Sequence, residues 1–359
     1  ITRATAELVK KYRGSFSGEH GDGRVRASFI PFMLGDENYH LLRDLKAVFD
    51  PESLLNPGKI VDAAPIDQDL RYEADQETRQ FDTIFDFSKE GGILRAAEKC
   101  NGSGDCRKLP STGGVMCPSY HATMDEKDTT RARANVLREI LTRSDLDNPF
   151  SDEMLLEVMD LCISCKGCTG ECPSDVDMAT LKAEFLYQYQ KTHGRNWRSW
   201  FFANQAKLNG IAANMPGISN FFLRNPLLSR LPKTFLGIAK ERPLPKVHTP
   251  LKKWAKRNRR MLEVSQPRGE VFFFLDEFTN LLDAKLGQKA LLLMTKLGYQ
   301  VRFVDQVESG RAHISKGFLE EARRLAEQNV LRFSPHVNPQ SPLIGLEPSA
   351  ILSFRDEYP

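Results

Sequence analysis

The run CISCKGCTGECP, residues 162–173, constrains this chain more than any other stretch. Cys162, Cys165 and Cys168 recur at every third position, and Cys172 follows directly before Pro173. Thiolates at this spacing wrap three sides of an iron–sulfur cube, while the fourth, ahead of proline, reaches away to another cluster. Zinc sites instead pair C-x-x-C with a second pair about a dozen or more residues on. Cysteines kept only for packing would not crowd together in this way. All seven cysteines lie between positions 100 and 172. An odd, dense and local set argues against a disulfide framework and for metal in a reducing compartment.

The stretch CNGSGDCRKLPSTGGVMCPSY, starting at Cys100, is a distorted copy. Cys100, Ser103 and Cys106 keep the three-residue step with serine in second place, and ten residues separate Cys106 from Cys117-Pro118. With crossed ligation, Cys162, Cys165, Cys168 and Cys117 complete one 4Fe-4S cluster. Cys100, Cys106 and Cys172 remain for a second, one thiolate short. A three-iron cluster, a fourth ligand other than cysteine, or no second cluster all stay open.

At 359 residues the chain has room for two or three domains. Its 50 basic and 47 acidic residues nearly balance, so nothing global points to nucleic acid or a membrane surface. No apolar run approaches the roughly 18 residues of a spanning helix, and the polar start ITRATAELVKKYRG is no signal peptide. The opening on Ile and the ending FRDEYP read as a piece of something longer.

Five segments follow from pattern. Residues 1–62 read as a helix, a Gly-rich loop and a second helix on which Leu42, Leu45 and Val48 share a face, stopped by Asp50-Pro51. Residues 63–92 are an acidic, irregular connector. Residues 93–185 hold the cysteines and at least three helices. One of these carries Ala134, Leu137, Ile140 and Leu141 on one stripe with arginines opposite, and another starts at Ser151-Asp152-Glu153 and runs into Cys162. Residues 186–265 form an aromatic and basic helical linker. Its six Lys and Arg at 252–260 read as a solvated face, with an acidic partner or lipid as the sharper option. Residues 266–359 alternate strand and helix, from EVFFFLDEF through a helix closed at Gly298 to YQVRFVD and PLIGLEP, which implies a parallel α/β sheet.

The loop SGEHGDGR, residues 17–24, sets Glu19 and His20 among three glycines. Glycine lets the backbone turn sharply or lie close to a ligand, and a Glu–His pair can supply a metal ligand and a proton acceptor. On loop chemistry alone, a polar turn with a solvated Glu and His is the leading reading.

SGEHGDGR together with DPESLLNPGKI resembles the end of the substrate domain in FAD-linked D-2-hydroxy acid dehydrogenases of the vanillyl-alcohol-oxidase superfamily. The cysteine segment is similar to the α-helical ferredoxin domain fused behind some of them. CNGSGDCRK, MCPSY and TRARAN are closest to the long D-2-hydroxyglutarate and D-lactate type. The last hundred or so residues resemble the Cys-Cys-Gly domain of heterodisulfide-reductase-like proteins. The implied fold is multidomain: the end of an FAD-linked oxidase C-terminal (α+β) domain, an α-helical ferredoxin domain with one firm 4Fe-4S cluster, and an α/β parallel-sheet domain.

By that resemblance Glu19 is a ligand to a divalent metal such as zinc and His20 is the base near the flavin. Gly21, Gly23 and Asn56 are carried over as cofactor-binding positions, although Asn56 and Lys59 read more as fold closure than as catalysis. FAD is expected to be bound mainly by an upstream domain. The Cys-Cys-Gly position reads Glu308-Ser309-Gly310, and Ala350 stands at a second thiol position, so no metal or disulfide chemistry is expected there.

The resemblance implies an oxidoreductase acting on a D-2-hydroxy acid, passing electrons from flavin through the cluster to a quinone-linked or protein acceptor. It implies no nucleic-acid partner, and a cytoplasmic location with peripheral membrane contact left open. The rival is a non-catalytic iron–sulfur electron-transfer subunit of a glycolate-oxidase or heterodisulfide-reductase-like complex. A zinc-stabilised scaffold is the third class.

Overall fold

Helical spacing in TRATAELVKK forms α1, Thr2–Lys11, in the computed structural model of the chain, which describes residues 1–72 and 75–359. After the Gly-rich loop come α2 (Gly23–Arg26), α3 (Ile30–Leu34) and α4 (Asp36–Phe49). Asp36 and Glu37 in the first turn of α4 suit the positive end of its dipole. Asp50 ends the helix and organises the next turn, its carboxylate accepting from Leu54 N and Leu55 N at 2.9 Å and from Lys46. The chain divides into the units Ile1–Glu77 and Thr78–Pro359.

The apolar face expected on α4 exists, but it is not a core. Leu42 is half-buried, while Leu45 and Val48 are 55% and 76% exposed. Ala6, Ala27 and Ile30 are the only buried apolar side chains among the described residues of this unit. So little buried area cannot offset the entropy of ordering the segment. The described residues of this unit form helices and turns without a strand, so the strands of an α+β domain are not in this stretch.

The second unit opens with α5 (Ile93–Glu98), α6 (Pro118–Thr123), α7 (Thr130–Arg143), α8 (Glu153–Asp160), α9 (Gly167–Glu171) and α10 (Met178–His193). Side-chain caps start three of them: Thr129 accepts from Ala132 N, Asp152 from Met154 N and Asp177 from Ala179 N. On α7, Ala134, Leu137 and Leu141 are fully buried and Ile140 is half-buried. The arginines are not all opposite that stripe, because Arg133 is also inside, 2% exposed. Ile93, Leu94, Phe150, Leu155, Met159 and Phe185 complete this core, and α10 runs past residue 185 to His193.

Short helices follow: α11 (Trp197–Ala203), α12 (Gln205–Ala212), α13 (Pro216–Arg224), α14 (Arg230–Leu236) and α15 (Leu251–Arg257). Then β1 (Gly269–Phe274), α16 (Glu277–Leu281), α17 (Ala284–Lys296), β2 (Tyr299–Arg302), α18 (Arg311–Ile314), α19 (Leu319–Phe333), β3 (Leu343–Gly345), α20 (Pro348–Ile351) and α21 (Ser353–Asp356) complete the chain. The sheet order is β2-β1-β3 and all pairs are parallel, with Val271 opposite Val301 and Phe273 opposite Ile344. Period-two alternation sends Val271 and Phe273 towards Leu291 on one face, and Phe272 and Phe274 towards Phe333 and Ala350 on the other. Both faces are therefore covered, as a parallel sheet requires. Ala183 and Tyr187 of α10 pack with Ile314, Leu319 and Ala322, joining the cysteine helices to the α/β part. No described helix is long and apolar enough to cross a membrane.

Candidate metal centre

Two turns bring the thiols together. Cys117 has left-handed backbone, φ 55°, directly before Pro118 starts α6. The loop after α8 is left-handed at Ser164 (φ 53°) and Lys166 (φ 60°), which wraps it between Cys162, Cys165 and Cys168. Side chains with a Cβ hold that conformation at a cost of about 1 kcal/mol or more each. Cys117, Cys162, Cys165 and Cys168 line one small cavity, shared with Thr130 and Met178.

The two cysteine segments are interlocked by polar contacts. Glu171 on α9 accepts from Val115 N at 2.7 Å and Met116 N at 3.0 Å, which holds its carboxyl below the usual range. Gly167 allows this approach, since a Cβ there would meet Met116 Cα at 3.3 Å. Buried Arg133 donates to Val158 O at 2.9 Å, Asp128 O at 2.7 Å and Ser119 Oγ at 3.2 Å, tying α8 to the turn after Cys117. Lys182 donates to Cys162 O at 2.5 Å and Asp160 O at 3.0 Å, and burial holds its ammonium below the usual lysine range.

All seven cysteines are free. Cys168 is buried, and desolvation raises its thiol to about 11. Cys117 neighbours Cys106 as well as the cavity. The Cys117 thiol lowers Cys106 below the usual thiol range, helped by Arg131, and Cys117 is itself raised by holding its proton towards Cys106. Thr130 N donates to Cys117 Sγ at 3.0 Å. Cys100 has Asn135 Nδ2 at 3.9 Å and Arg131 nearby. Cys172 is half-buried beside the helical core but does not line the cavity. Ser103 is exposed, with its backbone N held by Asn101.

Among the described residues, no three His, Cys, Asp or Glu side chains converge as a finished metal sphere. The donor set nevertheless fits an iron–sulfur cluster, because four free thiols face one cavity between interlocked turns. Arg133, Lys182, Glu171 and Lys166 escaped sequence reasoning. Apart from Asp128 beside Arg133, their partners lie far away along the chain, and only their placement beside cysteines or on an apolar stripe hinted at a special role.

In the first unit, Glu19, His20, Gly21 and Gly23 are exposed. Positive φ at Gly18, Gly21 and Gly23 (57°, 75° and 53°) shapes the loop. His20 N donates to Ser17 O at 3.3 Å, and Arg26 reaches Gly21 O at 3.0 Å. Glu19 belongs to no group of three or more metal-ligating side chains among the described residues. Asn56 is exposed with φ 49°, within the turn that Asp50 organises.

Two stretches of the chain match known families. Residues 1–60 match the family of FAD linked oxidases, C-terminal domain, and residues 99–177 match the 4Fe-4S dicluster domain. The chain thus joins the end of an FAD-linked oxidase domain to an iron–sulfur domain. Over its whole length it is similar to D-2-hydroxyglutarate dehydrogenase of Pantoea ananatis, 28% identical over 404 residues, and that of Escherichia coli, 27% over 401. The chain spans 39% of the length of these relatives. Its first part alone is 38% identical over 63 residues to the glycolate oxidase subunit GlcD of Bacillus subtilis, covering 17% of this chain and 13% of that protein. No solved structure matches the chain.

Proposed function

We propose that this chain is the electron-transfer end of an FAD- and iron–sulfur-dependent D-2-hydroxy acid dehydrogenase of the D-2-hydroxyglutarate or D-lactate class. The observation that carries the reading is one cavity lined by Cys117, Cys162, Cys165 and Cys168, in a chain whose first 60 residues match an FAD-linked oxidase. Bound flavin would supply a hydride acceptor, and the cluster a one-electron carrier towards a quinone-linked or protein acceptor.

The chain's own residues take the remaining tasks. His20 accepts the hydroxyl proton of the substrate, and its exposure in a glycine-hinged loop leaves its ring open to one. Glu19 serves as one ligand of a divalent metal such as zinc, which would orient the substrate carboxylate. Cys162, Cys165, Cys168 and Cys117 hold the main cluster, while Cys100, Cys106 and Cys172 belong to a second, incomplete set. The α/β part is a Cys-Cys-Gly-like domain with buried Ser309 and Ala350 at the thiol positions, leaving it a docking or structural role.

Peripheral membrane contact belongs to the same reading. Trp197, Trp200, Phe221 and Phe222 are exposed beside Arg198 and Arg224, and no acidic residue lies between Arg195 and Lys240.

The test is kinetic, on the full-length protein with D-2-hydroxyglutarate and D-lactate as donors. His20→Ala should lower kcat by roughly 10² to 10⁴-fold, the range for a lost general base. Flavin and iron content should stay unchanged. Glu19→Gln should weaken metal binding, with partial recovery on adding divalent metal. A His20→Ala protein working at the wild-type rate removes this loop from the mechanism.

A further inference from the structure

We propose that the cysteine-free α/β part sets the reduction potential of the cluster held at Cys162, Cys165 and Cys168, through the ion-pair chain Arg311–Glu357–Lys166. The inference rests on the iron–sulfur reading above and assigns this part of the chain a definite task. Ser164 and Lys166 are the left-handed turn residues between the thiols. Arg311 Nη2 donates to Ser164 O at 3.2 Å, and its Nη1 pairs with Glu357 Oε1 at 2.8 Å. Lys166 Nζ pairs with the same Oε1 at 2.6 Å and with Asp356 Oδ2 at 3.1 Å. The Glu357 side chain is 2% exposed and that of Arg311 12%, so water and salt screen these charges far less than surface ones.

The anchor behind Arg311 is a chain of hydrogen bonds through buried Ser309 and Glu277. Arg311 N donates to Ser309 Oγ at 3.2 Å. Ser309 in turn gives its hydroxyl and backbone N–H to the buried Glu277 carboxylate at 2.7 and 2.9 Å. Tyr358 OH donates to Ser309 O at 2.8 Å. Arg311 and Lys166 thus meet Glu357 and Asp356 at the cluster loop, with Arg355 also paired to Asp356 at 2.6 Å. Net charge near the cluster and hydrogen bonding around it are what set the potential of such a group. Removing a cation there makes the added electron less welcome, and removing the carboxylate does the opposite.

The experiment is a potentiometric titration of the anaerobically purified 359-residue chain, followed by EPR. Arg311→Gln and Lys166→Gln should lower the potential, Glu357→Gln should raise it, and Arg311→Lys should leave it near wild type. Opposite signs are the signature of charge. A merely mechanical clamp would loosen the loop in every variant and move all potentials the same way, and that result, or no shift, overturns the proposal. Should the Arg311 or Glu357 variants lose iron, Lys166→Gln against Lys166→Arg carries the same test. A wild-type chain without iron would overturn the iron–sulfur reading itself. A wild-type cluster indifferent to these charges overturns only this inference.

Discussion

Arg133 shows what single residues do in the helical core. Its guanidinium faces Asp128 at 3.5 Å with both side chains almost fully buried, and it spends its donors on backbone and hydroxyl oxygens. Removing one partner of such a pair strands the other, so Arg133→Met should cost about 3–5 kcal/mol in urea denaturation. Two other buried groups predict a pH dependence with opposing signs. Desolvation raises Asp276 to about 6, so the native state binds more protons than the unfolded chain, and stability falls as pH rises from about 4 to 6. Burial lowers His313 to about 4, so stability is lost as pH falls from about 6.5 towards 4. Each effect is on the order of 3 kcal/mol, and the two largely cancel between pH 4 and 6. Asp276→Asn keeps a capping side chain for α16 but removes the first effect. Its denaturation midpoint should therefore drop more steeply than wild type from pH 6.5 to 4, and parallel curves would refute the assignment.

Elements were the scale most legible in the sequence, where local period and punctuation decide. Thr129, Asp152 and Gly298 mark helix ends, and the unbroken apolar run in GEVFFF gives a strand buried on both faces. Cys117, Cys162, Cys165 and Cys168, grouped by their spacing, line one cavity. What stayed hidden are contacts between residues far apart along the chain, such as Arg311 with Ser164 or Lys182 with Cys162. No periodicity encodes them. The α4 stripe was legible as a helix but not as a core, because period reports that a face is apolar and not what covers it. Packing between elements can be probed at Gly317, whose φ is 72° and whose added Cβ would lie 2.7–2.8 Å from Leu186 and Tyr187 N. Gly317→Ala should lower stability by about 1–3 kcal/mol or more by pushing α10 away. Gly210→Ala, in α12 with nothing within 4 Å, should instead stabilise by up to about 1 kcal/mol. Thermal melts of the pair separate crowding from backbone preference.

At the scale of the whole molecule, the first unit buries few apolar side chains among its described residues, while the second carries the thiols, the helical core and the sheet. The apolar and cationic surface of α11–α14 predicts sedimentation with vesicles containing phosphatidylglycerol, weakened by salt, and much less with phosphatidylcholine alone. Equal indifference to both would remove membrane contact from the account. The central claim is that the interlocked turns around Cys117 and Cys162–Cys168 hold an iron–sulfur cluster. Iron, acid-labile sulfide and zinc counted per chain after anaerobic purification test it most directly, in wild type, Cys165→Ala and Cys100→Ala. The account predicts brown protein with about four irons per chain, or more if the second set of thiols also fills. That main cluster should be lost in Cys165→Ala and kept in Cys100→Ala. Stoichiometric zinc without iron, or equal bleaching of both variants, would contradict it.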